Sequence, residues 1–404
     1  KGTGYGGMQK FIALDLPEHF EISFLLKAES PSNNFEVKFI DESGHNVWWV
    51  NNRNYDFPKE WQRIRIKRRH ISFAWGPTHD RYLSRMSRIE FTVASFLGGK
   101  GSVWIDDLRF EALEAPPAVY PNPRIVAVPG QRGSKPQAML DGRAGTGWKS
   151  RMGLEAAVEL DFGVRREFGG LQIDWLDGAL PRKLELEMSL DGKQWEKIWE
   201  ADGLLTQQSF IPTKEAEALR LRLKMSSSKP QVFGVGEISL LPVEASLSHN
   251  DFFRHIAKQQ PKGLFPRYFL DQALYWTVSG VNNDTHEAMI CEDGMVEVDK
   301  ALFSIEPLLT IDGKYYDWSH AKTFHTLRSP WDSGVFAFSP TVEWVAGGIR
   351  LTISISSDGQ ANKNSRLNIG YRLENISGKP ADVKLVLLVR PFQVNPWYQF
   401  LNLT

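Results

Sequence analysis

The 404-residue sequence contains a single cysteine, Cys291. An internal disulfide and a zinc site built on thiolates are therefore both excluded. Net charge is missing as well, since 48 Lys and Arg balance 48 Asp and Glu. The three stretches into which the chain divides each stay within a single charge of neutral. Without a basic excess there is nothing to hold a phosphate backbone by charge, so nucleic acid is excluded as the main partner. Long apolar runs are absent: Leu385–Val389 falls far short of the roughly 20 residues that cross a bilayer. Familiar catalytic motifs are lacking too. His286-Glu287-Ala288-Met289-Ile290 has no second histidine for a zinc helix, and Ser227-Ser228 has no nucleophile-elbow glycines. Gly2–Gly7 is glycine-rich but does not join a strand to a helix as phosphate loops do.

What the sequence does have is aromatic residues, 14 Trp, 24 Phe and 10 Tyr, and period-two alternation. Arg63-Ile64-Arg65-Ile66-Lys67, Leu184–Met188, Leu219–Lys224 and Leu351–Ser356 each place apolar side chains on one face and polar ones on the other. One helix is predicted, over Asp251–Lys258 behind Ser248 and Asn250. Short strands punctuated by turns predict an all-β chain of antiparallel sandwiches. Pro-rich connectors at Glu114–Pro123 and from Leu241-Pro242 to Pro261-Lys262-Gly263 divide it into pieces 1–115, 118–245 and 250–404.

In the first piece, Trp48-Trp49-Val50-Asn51-Asn52-Arg53-Asn54-Tyr55 combines flat apolar rings with hydrogen-bonding groups. A pyranose needs both, because it has an apolar C–H face and polar edges. Trp48 and Trp49 must point to opposite sides of a strand, so one belongs to the core. Trp49, Asn51, Arg53 and Tyr55 are the candidate ligand contacts, while Trp61 and Trp75 are expected in the core. The closing Val103-Trp104-Ile105-Asp106-Asp107-Leu108-Arg109-Phe110 resembles the last strand of jelly-roll modules attached to bacterial glycoside hydrolases. That resemblance makes Asp107 a candidate calcium ligand; the alternative is that Asp106 and Asp107 cap a hairpin.

The second piece carries the most specific motifs. Ala138-Met139-Leu140-Asp141-Gly142-Arg143-Ala144-Gly145-Thr146-Gly147-Trp148-Lys149-Ser150 is followed by Val158–Gly163, Leu171–Trp175 and Ser189–Trp195, and it closes on Gly234-Val235-Gly236-Glu237-Ile238. In order and spacing these resemble a discoidin, or coagulation factor 5/8 type C, domain. The resemblance implies an eight-stranded galactose-binding-like sandwich, with ligand loops at one end and often a calcium ion held near Asp141, Thr146 and Glu237. Such oxygen donors suit calcium, although Arg143 stands where the family often has Asp or Asn and can pair with Asp141 instead. Lys149, Arg151, Trp175, Asp177, Arg182 and Phe233 are the candidate ligand contacts from the loops.

In the third piece, Gly263–Tyr268, Leu274–Gly280, Phe303–Pro307 and Gly370-Tyr371-Arg372-Leu373-Glu374-Asn375-Ile376-Ser377-Gly378 resemble the β-sandwich that precedes an α/α barrel in bacterial glycosidases and sugar phosphorylases. In that group the catalytic acids come from the barrel. Glu287, Glu292, Asp293, Glu297, Asp299 and Glu306 lie here, but no sequence pattern pairs two of them across a scissile bond. His320 and His325 are read as structural. Lys1 opens without Met or leader and Thr404 closes without a tail, so the chain is expected to be part of a larger protein. The expectation is three consecutive sandwiches (jelly-roll, discoidin-like, large) from a secreted, periplasmic or cell-envelope bacterial glycosidase. They would bind a polysaccharide or oligosaccharide beside a downstream catalytic domain, with structural calcium and no organic cofactor. Alternatives are a glycosidase with its own site in the third piece, and an adhesion or scaffold module without sugar affinity.

Overall fold

Alternation becomes strand wherever it was read. In a computed structural model, which describes residues 4–143, 145–203, 205–299, 302–328 and 339–394, 56% of the chain is strand and 7% helix. The protein is all-β. By contact density it divides into two units, Lys1–Val119 and Tyr120–Thr404.

Among its described residues the first unit has eight strands: β1 (Tyr5–Asp15), β2 (Phe20–Glu29), β3 (Asn33–Ile40), β4 (Val47–Tyr55), β5 (Gln62–Lys67), β6 (Ser72–Trp75), β7 (Arg85–Ala94) and β8 (Ser102–Ala112). They form a five-stranded sheet, β1-β7-β3-β4-β6, and a three-stranded sheet, β5-β2-β8. Phe35, Val37 and Phe39 of β3 meet Phe20, Ile22, Phe24 and Leu26 of β2 in one buried cluster. The residues between them in β3, Glu36 and Lys38, must therefore face away from that core.

The second unit begins with β9 (Arg124–Ala127), β10 (Trp148–Lys149), β11 (Gly153–Trp175), β12 (Lys183–Ser189), β13 (Glu196–Asp202), β14 (Gln208–Gln231) and β15 (Gly234–Leu241). Seven strands stand where the resemblance implied eight, because β11 and β14 are double length, 23 and 24 residues. Bulges and left-handed residues at Gly163 and Lys214 bend both, so one sheet wraps its own core. Trp148, Phe162, Phe168 and Phe233 fill that core. A Cβ at Gly147 would sit 2.2 Å from the Val235 carbonyl oxygen, so only glycine lets Trp148 slide under β15.

Helix α1 (His249–Ala257) is capped by Ser248, whose Oγ accepts from Asp251 N at 3.1 Å. Its Phe252 and Ile256 pack with Leu241 and Ala245, while Ala257 joins Phe269 and Phe392 in the next cluster. This segment, read from sequence as a connector, is a packed block with apolar contacts on both sides. The C-terminal strands follow: β16 (Trp276–Gly280), β17 (Glu287–Cys291), β18 (Val296–Val298), β19 (Phe303–Ile311), β20 (Lys314–Tyr316), β21 (Lys322–Arg328), β22 (Ser339–Ala346), β23 (Ile349–Asp358), β24 (Arg366–Asn375) and β25 (Val383–Arg390). One sheet runs β16-β17-β18-β19-β20 with β25 on β19, and the other runs β21-β22-β23-β24. Ile290, Val296, Leu309, Trp344, Leu351 and Ile353 are buried between them.

Candidate functional site

The outward face of the five-stranded sheet in the first unit concentrates the expected chemistry. Antiparallel register sets its rows: Gly7–Thr92–Glu36–Asn51, then Gln9–Glu90–Lys38–Trp49–Ser72, then Phe11–Arg88–Ile40–Val47–Trp75. The middle of this face is charged and withdrawn from solvent. Lys38 Nζ, on a residue only 9% exposed, reaches Glu36 Oε2 at 3.0 Å, Glu90 Oε1 at 3.1 Å and Thr92 Oγ1 at 3.2 Å. Burial alone would lower the Lys38 pKa, but its hydrogen bonds to Glu36 and Glu90 outweigh that and raise it above the ordinary lysine value.

Rings stand on either side of this polar row. Tyr5 and Phe11 on β1 are 72% and 69% exposed. On the other side Trp49 meets Trp75 edge to face, with centroids 5.6 Å apart, and Trp75 is 49% exposed. At about 4.8 Å per strand the two aromatic edges lie about 14–19 Å apart, longer than one sugar ring. Asn51 completes the face: its Oδ1 is buried and receives no hydrogen bond. An unmet buried acceptor costs about 1–3 kcal/mol.

Of the residues chosen from sequence in this unit, Trp49 and Asn51 share that face, and Arg53 is exposed beyond them on β4. Tyr55 does not share it. A bulge in the β3–β4 register turns it inward, where it packs on Phe35 and Phe57 at 5.6 and 5.1 Å, and burial raises its pKa. Trp75, expected in the core, is on the face instead. Asp107 is held by Arg63 and by Arg109, whose Nε donates to Oδ1 at 2.9 Å. Hydrogen bonds from Arg109 and Arg63 hold its carboxyl below the usual aspartate range. With both oxygens engaged by guanidinium groups, the Asp107 site does not fit calcium. Glu36, Lys38, Glu90, Tyr5 and Phe11 were missed. The Phe35-Glu36-Val37-Lys38-Phe39 alternation puts two of them outward, but no sequence signal says that β7 and β1 lie alongside.

In the second unit, Trp175 and Phe233 are 2% and 0% exposed, so neither can act as a platform. Trp175 Nε1 donates to Ser209 Oγ at 2.9 Å within the core. Arg182 is paired with Asp202 at 3.1 Å, and Asp177 sits exposed in the turn after β11. Lys149 and Arg151 are exposed and make no ion pair among the described residues. The buried Ser150 between them fixes their loop: its N–H donates to Phe233 O at 2.8 Å and its Oγ accepts from Phe233 N at 2.9 Å. Asp141 accepts from Thr146 Oγ1 at 2.7 Å and from Arg143 N at 2.9 Å, and Glu237 accepts from Gly142 N at 3.0 Å. Burial, joined by the charge of Asp141, raises the Glu237 pKa despite those N–H donors. Two carboxyls and a hydroxyl crowded at mutual cost make a donor set that a hard cation suits.

The carboxylates noted in the third piece have structural partners. Asp293 pairs with Arg267, whose Nε donates at 2.7 Å, and Glu306 pairs with Arg390 at 2.9 Å. Glu297 accepts from Val394 N at 2.7 Å, and Asp299 contacts His286. His320 Nδ1 contacts Asp317 Oδ1 at 2.9 Å; the His325 side chain lies outside the described residues.

Comparison with known proteins adds the following. No curated protein matches the sequence. Among solved structures, a fucosidase from Ruminococcus gnavus in complex with fucose is similar at 17% identity, covering 30% of this chain and 25% of that one with a TM-score of 0.28. The chain thus spans about a quarter of that enzyme. A module from Clostridium perfringens in complex with GalNAc-β-1,3-galactose is 18% identical over 30% of this chain and 95% of its own, with a TM-score of 0.28. A chitosan-binding module in complex with chitotriose, from a Paenibacillus sp. IK-5 chitosanase/glucanase, is 16% identical over 30% and 96%, with a TM-score of 0.28. The F5/8 type C domain family matches residues 127–236, the stretch whose motifs and wrapped sheet were described above. Residues 127–236 are an F5/8 type C domain.

Proposed function

We propose that this chain binds carbohydrate and carries no chemistry of its own, holding a bacterial glycoside hydrolase on its polymer by raising the local concentration of substrate. One observation carries the reading. On the outer face of the first sandwich, exposed rings flank a half-buried polar row that includes an acceptor with no donor, Asn51 Oδ1. Rings stack on the C–H face of a pyranose with little entropy to lose, and the polar row meets its hydroxyls. The distance between the two aromatic edges favours a stretch of chain over a single sugar. The F5/8 type C loops around Lys149 and Arg151 supply a second surface of the same class. Secretion, or residence in the cell envelope, and a downstream catalytic domain belong to this proposal. So does a calcium ion held by Asp141, Thr146 and Glu237.

The test uses the whole chain in affinity electrophoresis and calorimetry against neutral plant and microbial polysaccharides. Retardation by at least one of them is expected, together with its loss in the Trp49→Ala/Trp75→Ala double variant. A chain that binds none of them, or whose binding ignores both tryptophans, would overturn the reading. For calcium, the expected result is a rise in melting temperature that Asp141→Asn removes and Asp107→Asn leaves intact. Because the Glu237 pKa is raised, the carboxyl takes up a proton early on acidification, so the calcium effect should fade as pH falls through that raised value.

A further inference from the structure

The two sheets of the C-terminal sandwich close on large aliphatic side chains along most of their length and then stop doing so. Inward positions of β23 run Ile349, Leu351, Ile353 and Ile355, all fully buried, and the next inward position is Ser357. The same fall occurs across the gap. On β17 Ile290 gives way to Ala288 and, just before the strand, to His286, while on β16 Thr277 opposite Ile290 gives way to Ser279 opposite Ala288. Interiors are normally filled to crystal-like density. Here the change from aliphatic to small and polar side chains leaves a cavity of about 390 Å³, within the range that accepts small ligands.

Its polar lining joins hydroxyls, an imidazole, the cations Lys363 and Arg366 and the carboxylates Glu287 and Asp299. Ser279 Oγ and Ser357 Oγ lie 2.9 Å apart and span the two sheets. His286 Nδ1 lies 2.5 Å from Asp299 Oδ2, which fixes the imidazole at the mouth. Lys363 and Arg366 line the same cavity and make no ion pair among the described residues. The nearby backbone is held in place independently, since Asn362 Oδ1 accepts from Thr285 Oγ1 at 2.7 Å and its Nδ2 donates to Asn283 O at 3.0 Å.

We propose that this cavity binds a sugar acid of monosaccharide size. The Arg366 guanidinium and Lys363 ammonium take its carboxylate, for which a planar fork and a point charge are matched donors. The serine pair and the oriented His286–Asp299 pair meet its hydroxyls, being able to donate and to accept. Inorganic phosphate leaves the hydroxyl partners unused. The site is built from strands and loops of the second unit, none of which belongs to the sheet face of the first.

The experiment is calorimetry and thermal shift on the 404-residue chain in a Trp49→Ala/Trp75→Ala background, which removes the first-unit platforms. Galacturonate and glucuronate are titrated beside galactose, glucose and inorganic phosphate. At least one uronate is expected to bind at least tenfold more tightly than its neutral counterpart and than phosphate. Arg366→Gln is expected to weaken it tenfold or more. Ser357→Leu, which continues the aliphatic row into the cavity, is expected to abolish it while leaving the melting temperature unchanged or higher. No uronate binding, equal binding of neutral sugar or phosphate, or affinity unmoved by the variants would each overturn the proposal. Should Ser357→Leu fail to fold, Arg366→Gln and Lys363→Gln at the rim decide the same question.

Discussion

Two charged sheet faces in this molecule look alike in sequence and differ in what they can do. On the F5/8 type C domain, Leu219-Arg220-Leu221-Arg222-Leu223-Lys224 presents three cations outward. Arg220 and Arg222 each reach Glu159 at 3.2 Å, and Lys224 reaches Glu187 at 2.8 Å. Arg222 also covers the ring of Trp195 at 3.6 Å. That face is closed over by its own ion pairs and its ring is covered, although Arg220 Nε is buried without a partner. On the first sandwich the corresponding row is Glu36, Lys38 and Glu90; Lys38 lies 5.6 Å from the Tyr5 ring and Arg88 5.8 Å from the Phe11 ring, but both rings and Trp75 stay largely exposed, and Asn51 Oδ1 lacks a donor. The two faces thus differ chiefly in how much aromatic surface their ion-pair ladders leave exposed.

Substitutions test whether the two faces truly differ, and the largest effect should come from a residue on neither. Phe233→Ala empties a fully buried position and should cost the F5/8 type C domain about 3–5 kcal/mol. Denaturant melts would show this, and any loss of glycan binding should follow the unfolding curve alone. Lys38→Ala leaves Glu36 and Glu90 facing each other across a half-buried gap and should cost about 3 kcal/mol. Because the folded Lys38 pKa is raised, its contribution is present below the ordinary lysine value and lost as pH climbs through the folded one. The wild-type first unit should therefore weaken selectively in strong alkali, and the variant should not. Trp49→Ala with Trp75→Ala should leave the melting temperature nearly unchanged and cut glycan affinity at least tenfold, about 1.4 kcal/mol. Arg222→Ala, on the closed-over face, should cost under about 1 kcal/mol and leave binding alone; a loss of glycan affinity there would erase the distinction between the two faces.

The legible part of this protein was whatever depends on near neighbours in sequence. Alternation at Arg63–Lys67 and Leu351–Ser356 placed strands, Ser248 placed helix α1, and the Asp141–Ser150 run with Gly234–Ile238 identified the F5/8 type C domain. Trp49 and Asn51 share a face as expected because strand parity suffices to put a ring and an amide on one side. Trp175 and Phe233 were misread because a family's loop positions do not say whether a given ring turns inward. Tyr55 failed for a smaller reason, a bulge that shifts parity. Asp107 failed because the two arginines that hold it are distant or unremarkable in the sequence.

The opposition between absent net charge and many aromatics, with which the sequence begins, ends up resolved by position. Composition and periodicity are local quantities, and they were enough to establish an all-β chain, neutral in each stretch, with one cysteine and hence no internal disulfide. Which rings are uncovered, which carboxylates are already paired, and where the inward row of β23 stops being aliphatic and leaves a cavity came from the folded arrangement alone. Those facts depend on which strands become neighbours and in what register. Register is set by packing across the whole sandwich, which no short stretch of sequence encodes.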